Sequence, residues 1–246
     1  MHVRTFGPHG APAVLLLHGG GVAGWMWEPL RDRLGDGFRL VVPDLPGHDH
    51  GSGGPYLSHA DTARELAGLL EAERADGTAT VLGFSLGAQL AVLLAAARPD
   101  LVGRAVVVSA QAVPTPLPSL TVALVGAAAG LARSPRFARL QARELFVPEH
   151  LVADYLRTSA GISRRTLTTV VGENIRFTPP TGWARFPGRA DVLVGARERA
   201  VMAASARALH AALPGSTLTV VEGCGHGIPL QRPDLLAALL RERTGP

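Results

Sequence analysis

The sequence around Ser85 has the residue types and spacing of an activated serine nucleophile. Gly83-Phe84-Ser85-Leu86-Gly87 follows an apolar run of β type and precedes a helix-forming run. Glycine-x-serine-x-glycine at a strand–turn–helix junction makes a sharp, strained turn that holds the serine hydroxyl clear of the strand end. Side chains in place of Gly83 and Gly87 would collide across such a turn. The helix points its positive end at the site, and the amide of Leu86 is predicted to donate to an oxyanion.

The same motif also occurs in glycine-containing turns whose serine is incidental. The catalytic interpretation of Ser85 therefore requires a base and an acid nearby. His226 follows the last predicted strand, residues 217–221, and is the candidate base. Glu198 follows the preceding strand, residues 191–194, and would hold the histidine tautomer and stabilise the imidazolium. The alternatives are a loop histidine that only packs and a glutamate that pairs with its flanking arginines. The segment after Ser109 offers no carboxylate.

These residues must be positioned by a sheet, and the sequence pattern predicts its class. Apolar runs typical of strands lie at residues 3–6, 13–17, 39–42, 79–82, 104–109, 191–194 and 217–221. Helical patterns lie between them, which predicts an α/β fold, a mostly parallel open sheet with helices on both faces. Ligands bind beyond the carboxyl ends of the strands in such sheets, so His18, Asp44, Ser85 and Gln111 are expected at that edge.

The alternation stops over residues 113–187. This segment has prolines near both borders and helical patterns between them. It is predicted to be a helical cap inserted into one core formed by residues 1–112 and 188–246.

One stretch of the predicted cap, residues 120–132, is apolar on all sides. Such a pattern is typical of a helix buried beneath its neighbours. The alternative is a helix that lines an acyl or alkyl pocket, with Val122, Leu124 or Leu131 near the substrate.

Composition narrows the classes of function. The chain has 24 basic residues against 20 acidic ones, a net charge of +4, and no lysine, which excludes Schiff-base chemistry on lysine. The arginines are scattered, so no nucleic-acid partner is expected. Cys224 is the single cysteine and is interpreted as a packing residue. The sequence shows no secretory signal and no apolar stretch long enough to span a bilayer, so a cytoplasmic protein is expected.

With these motifs, the chain resembles the α/β-hydrolase superfamily over nearly its whole length. The matching segments are residues 18–21 (His-Gly-Gly-Gly), 43–48 (Pro-Asp-Leu-Pro-Gly-His), 83–87 and 225–226 (Gly-His). The resemblance implies that Gly20 supplies a second oxyanion amide beside Leu86, and that Asp44 and His48 shape the loop beside the site. The family usually has aspartate at the acid position, and Glu198 departs from that pattern.

The resemblance implies a serine hydrolase that cleaves an ester or related acyl bond of a small to medium apolar substrate through a Ser-His-Glu triad and an acyl-enzyme. It implies no cofactor and no metal, although His48-x-His50 has the spacing of a metal-binding pair. A hydrolase-like small-molecule sensor, a carbon–carbon bond hydrolase and a cofactor-free lyase are the alternatives on the same fold. Four further residues are expected on the pocket wall: Gly21, Phe84, Gln111 and Ile228.

Overall fold

The structure, a computed structural model, describes residues 1–73, 79–130 and 134–242. The described strands are β1 (His2–Phe6), β2 (Ala13–Leu17), β3 (Arg39–Asp44), β4 (Ala79–Phe84), β5 (Val102–Val108), β6 (Arg189–Gly195) and β7 (Thr217–Val221). They form one seven-stranded sheet in the order β1-β3-β2-β4-β5-β6-β7. β1 is antiparallel to β3, and the other neighbouring strands are parallel.

The α-helices of the described chain lie between these strands or follow β7. They are α1 (Glu28–Leu34), α2 (His59–Ala72), α3 (Leu86–Ala97), α4 (Pro118–Ala128), α5 (Pro135–Glu144), α6 (Val152–Gly161), α7 (Arg164–Arg176), α8 (Ala200–Ala212), α9 (Ile228–Gln231) and α10 (Pro233–Arg241). Within the described ranges, none of the helices combines the length and the apolar character needed to cross a bilayer.

The core lies on both faces of the sheet because successive strand residues point to opposite sides. Leu15 and Leu17 of β2 belong to an apolar cluster that includes residues of α2, α3 and α8. Val14 and Leu16 belong to a second cluster that includes residues of α1 and α10. This arrangement confirms the predicted open, mostly parallel sheet with helices on both faces.

The strand order places a crevice beside Ser85. β3 lies on one side of β2 and β4 lies on the other, so the connections leaving β2 and β3 run in opposite directions across the sheet. Ligands bind at such a switch point, outside the carboxyl ends of the strands. The loop at residues 18–21 follows β2 and Ser85 follows β4, so both lie at this crevice.

Helices α4 to α7 lie between β5 and β6 in the chain, and side-chain contacts fasten them to the loops of the sheet. Arg157 of α6 donates to both carboxylate oxygens of Asp49 at 3.1 and 3.0 Å. The indole of Trp25 donates to the hydroxyl of Thr158 at 3.0 Å. These contacts hold α6 against two loops that follow β2 and β3.

The last part of the expected cap, residues 177–187, packs on the core. Trp183 is fully buried in the apolar cluster that includes α3 and α8, and its indole donates to the carbonyl of Leu209 at 3.0 Å. A Cβ on Gly182 would lie 2.5 Å from the carbonyl oxygen of Ala96 on α3. The cap that we propose therefore ends near Arg176.

Candidate active site

Ser85 occupies a strained turn between β4 and α3. Its backbone has φ 53° and ψ −111°, a conformation that side chains rarely adopt. A Cβ on Gly83 would lie 2.1 Å from the carbonyl oxygen of Gly87, and a Cβ on Gly87 would lie 2.2 Å from that of Leu17. The amide of Ser85 donates to the carbonyl of Val108 at 2.9 Å. Both glycines are therefore required by steric contact, and the turn is held from the neighbouring strand.

The structure brings Ser85, His226 and Glu198 into one hydrogen-bonded line. The Nε2 atom of His226 lies 3.2 Å from Oγ of Ser85, and its Nδ1 atom lies 2.7 Å from Oε2 of Glu198. A carboxylate can only accept, so Nδ1 carries the proton and Nε2 is left to accept one from the serine. A Cβ on Gly195 would lie 2.5 Å from the carbonyl oxygen of Cys224, so glycine allows the two loops that carry His226 and Glu198 to approach.

The Glu198 side chain is held by two further donors. Its Oε1 atom accepts from the hydroxyl of Ser109 at 2.6 Å and from the amide of Gly195 at 2.9 Å. Burial works to raise the pKa of this carboxyl, but the hydrogen bond and charge of His226, together with the bonds from Ser109 and Gly195, lower the pKa below its usual value. The Glu198 side chain is 1% exposed, whereas that of His226 is 38% exposed. Glu198 is thus a fixed anion behind an accessible imidazole.

Ser109 was not predicted from the sequence, because the segment after β5 was expected to contribute only a carboxylate. Ser109 directly follows β5, the strand beside that of Ser85, and has a positive φ of 56°. Its position, as a polar residue at the carboxyl end of a strand, was the sequence signal that could have identified it.

The loop after β2 lies beside the nucleophile, since a Cβ on Gly19 would lie 3.4 Å from Cβ of Ser85. Gly20 and Leu86 both line the pocket next to Ser85, and a Cβ on Gly20 would lie 4.0 Å from Cδ2 of Leu86. His18 fixes this loop, because its Nδ1 donates to the carbonyl of Gly19 at 2.8 Å and its Nε2 accepts from the amide of Leu45 at 2.9 Å. Burial lowers the pKa of His18 to about 4, so the ring is neutral.

Asp44 is the last residue of β3, and His48 lies in the loop that follows it. The Asp44 carboxylate is fully buried and accepts from the amide of Gly24 at 2.8 Å. His48 lines the pocket, and burial lowers its pKa to about 3. Its ring lies 5.2 Å from that of His18, so two neutral histidines support the loops on this side of the pocket.

A cavity of about 970 Å³ lies above Ser85. Its wall combines the loops of the sheet with residues from all four helices α4 to α7. Side chains of these helices that sequence analysis did not single out include Val125, Ala128, Tyr155, Ser159, Thr166 and Val170. Arg197 and Arg199, which flank Glu198, also belong to the wall.

Three of the four residues expected on the pocket wall are not among the described residues that line it, and only Gly21 is. Gln111 is buried and donates to the carbonyl of Val113 and the hydroxyl of Thr115, at 3.0 and 2.9 Å. Ile228 is fully buried in the core. Phe84 supports the site from behind, with its ring 5.0 Å from that of His226.

Two of the three residues expected near the substrate, Val122 and Leu124, are not among the described residues that line the cavity. Leu124 is 62% exposed, and Val122 faces α7, 3.5 Å from where a Cβ on Gly172 would lie. Val125 and Ala128 line the cavity instead, three residues apart on one helix face. Leu131 lies outside the described residues.

The chain is similar to known proteins in both sequence and fold. The profile of a family described as "Alpha/beta hydrolase family" matches residues 14–239. The "Lipase LipV" of Mycobacterium tuberculosis is 30% identical over 276 residues, which cover 100% of this chain and 98% of the lipase.

Solved structures show the same fold. An esterase from Exiguobacterium antarcticum has a TM-score of 0.82 at 21% identity, covering 97% of this chain and 93% of the esterase chain. A bromoperoxidase from Bacillus anthracis has a TM-score of 0.83 at 18% identity, covering 97% of this chain and 92% of that chain. The fold is therefore shared by an esterase and a bromoperoxidase, so the fold alone does not determine the chemistry of the site.

Proposed function

The chain belongs to the alpha/beta hydrolase family and is a hydrolase, and on that premise we propose that it is a serine esterase acting on apolar carboxylic esters. The observation that carries the proposal is the line of atoms from Ser85 through His226 to Glu198, with separations of 3.2 and 2.7 Å. The catalytic roles follow from which of these atoms can donate and which can accept.

In the acylation step, Oγ of Ser85 attacks the ester carbonyl while Nε2 of His226 accepts the hydroxyl proton. Glu198 holds the proton on Nδ1 and stabilises the imidazolium that forms. The amides of Leu86 and Gly20 donate to the oxyanion of the tetrahedral intermediate. His226 then gives its proton to the leaving alcohol, and an acyl-serine remains.

Deacylation repeats these steps with water. His226 takes a proton from the water as the water attacks the acyl carbonyl, and Ser85 leaves as the protonated alcohol. No step requires a cofactor. The apolar part of the cavity wall, contributed by Val125, Ala128 and Val170, supports an apolar acyl group as the preferred substrate.

Steady-state hydrolysis of p-nitrophenyl esters, with acyl chains from acetate to octanoate, tests the proposal. We expect continuous turnover, and we expect Ser85→Ala to lower kcat by roughly 10⁶. A fluorophosphonate should label the native chain and fail to label the variant. Ser119→Ala removes an exposed hydroxyl on α4 and is the matched control.

Two results would contradict the proposal. A stoichiometric burst without further release would favour a sensor that binds and acylates without turning over. Retention of a tenth of the activity by Ser85→Ala would exclude Ser85 as the nucleophile.

A further inference from the structure

Three side chains with metal-binding atoms converge at the edge of the sheet where β1 pairs with β3. One donor atom from each of His2, Asp44 and His50 lies within 4.8 Å of the other two. None of the three belongs to the described wall of the pocket above Ser85. We propose that His2, Asp44 and His50 form a Zn²⁺ site that is separate from the active site.

The backbone brings the three residues together. His2 and Asp44 are paired across the antiparallel β1–β3 ladder, so their side chains share one face of the sheet. His50 lies in the 3₁₀ turn Asp49–Gly53, which folds back on the end of β3. A Cβ on Gly51 would lie 2.4 Å from the backbone oxygen of Asp44, so the turn packs closely there. The rings of His2 and His50 have centroids 5.1 Å apart.

The Asp44 carboxylate is oriented in the way that metal-binding carboxylates are. Its Oδ1 atom accepts from the amide of Gly24 at 2.8 Å and faces Arg4 at 3.8 Å. Its Oδ2 atom faces the other way, 3.3 Å from Nδ1 of His50. Outer hydrogen bonds of this kind fix the direction of a ligand before an ion binds. The charge of Arg4 therefore lies beside Oδ1, whereas Oδ2 is the oxygen directed at the histidines.

The donor set favours zinc. Two imidazoles and one carboxylate match Zn²⁺, whereas Mg²⁺ and Ca²⁺ prefer oxygen ligands alone. Three protein ligands leave a fourth tetrahedral position for water. His2 is exposed and the His50 side chain is 57% exposed, so small rotations of both rings can close the donors around an ion that enters from solvent.

The His48-x-His50 pair suggested by the sequence does not itself form the site. His48 faces inward, with Nδ1 bonded to the carbonyl of Pro46 at 3.0 Å and its ring against His18. His50 faces the opposite side of the loop. The second histidine beside His50 is His2, which is distant in the sequence, so spacing alone could not identify the set.

Binding of an ion here would join β1 to the turn that begins at Asp49. The same Asp49 is bonded to Arg157 of α6, so this turn also fastens the cap. We therefore expect Zn²⁺ to raise the thermal midpoint of unfolding. Ester hydrolysis should be the same with and without the ion, because the site contributes no group to the pocket.

The test is calorimetric titration of the metal-stripped full chain, purified without a histidine tag, with Zn²⁺. We expect one ion per chain. His2→Ala and His50→Ala should each weaken binding by more than about 10-fold, since loss of an outer-shell partner alone costs roughly 10- to 100-fold. His150→Ala, which removes a side chain that is 62% exposed elsewhere on the surface, should leave binding unchanged. Circular dichroism of each variant confirms that the chain remains folded.

Three results would overturn the assignment. One is the absence of Zn²⁺ binding to the native chain. Another is binding that survives both His2→Ala and His50→Ala. The third is binding that requires His2 but not His50, which would indicate chelation by the amino terminus. None of these results would affect the proposed esterase mechanism, because that mechanism is tested by Ser85→Ala.

Discussion

Replacement of Glu198 by glutamine should disable the base without changing the shape of the site. Two donors, the Ser109 hydroxyl and the Gly195 amide, meet Oε1 of Glu198 at 2.6 and 2.9 Å. The Gly195 amide can only donate, so the glutamine carbonyl oxygen must face it. The glutamine NH₂ group then faces His226 and donates to Nδ1. The proton of the imidazole moves to Nε2, the atom that must accept from Ser85.

The expected loss follows from this tautomer. The equivalent exchange in the best-studied serine triad lowers kcat by about 10⁴, and for Glu198→Gln we expect roughly 10³ to 10⁴, or about 4 to 5.5 kcal/mol of transition-state stabilisation. KM should change little, because Glu198 is buried behind His226 and the replacement keeps its size. Glu198→Asp should lose less activity, since it keeps the charge and shortens the reach by one methylene.

Initial rates with p-nitrophenyl butyrate, measured where chemistry limits turnover, give the comparison. Glu222→Gln changes an exposed carboxylate near the end of β7 and is the control. Glu198→Ala should regain activity when formate is added, because the space left by the side chain admits a small carboxylate, whereas Glu198→Gln should not. If Glu198→Gln kept more than a third of the native kcat, Glu198 would not be the acid.

Three further outcomes are expected. Ser109→Ala should lower kcat about 10-fold by removing one donor to the Glu198 carboxylate, and an unchanged kcat would show that the Gly195 amide suffices. The free energy of unfolding should fall as pH drops from about 6.5 towards 4. Over this range the unfolded chain protonates His18 and His48, whereas the folded chain does not. The lowering of the His18 pKa to about 4 corresponds to a loss of roughly 3 kcal/mol in the free energy of unfolding. Urea titrations at pH 7.5 and 4.5 measure this fall, and equal midpoints would contradict it. Val125→Asp should raise KM more for octanoate than for acetate esters, whereas Leu124→Asp on the exposed face of α4 should not.

The sheet could be predicted because parallel strands buried on both faces leave a strong local signal. Residues 13–17 are a continuous apolar run between Pro12 and His18, and β2 begins and ends with this run. The carboxyl ends of such strands share one edge. For that reason Ser85, Glu198 and His226 could be placed at that edge from their positions in the chain alone.

The pocket wall could not be predicted in the same way, because it depends on which face of each cap helix turns inward. α4 is apolar on all sides, so its sequence does not distinguish Val125 from Leu124. Gln111 follows a strand at the correct edge. Its side-chain amide donates hydrogen bonds to Val113 and Thr115, which turn it away from the cavity. Ser109 was overlooked because its contribution is a hydrogen bond to another side chain, and sequence spacing carries no record of that contact.

Ser85 and Ser109 both have a backbone conformation that favours glycine, with φ of 53° at Ser85 and 56° at Ser109. A residue held in this way destabilises the folded chain by about 1 to 3 kcal/mol. Glycine at either position would relieve the strain and also remove a hydroxyl that the chemistry uses. Selection for heat resistance alone would therefore favour loss of activity at these two positions, so a thermostable and active variant has to gain its stability from residues elsewhere in the chain.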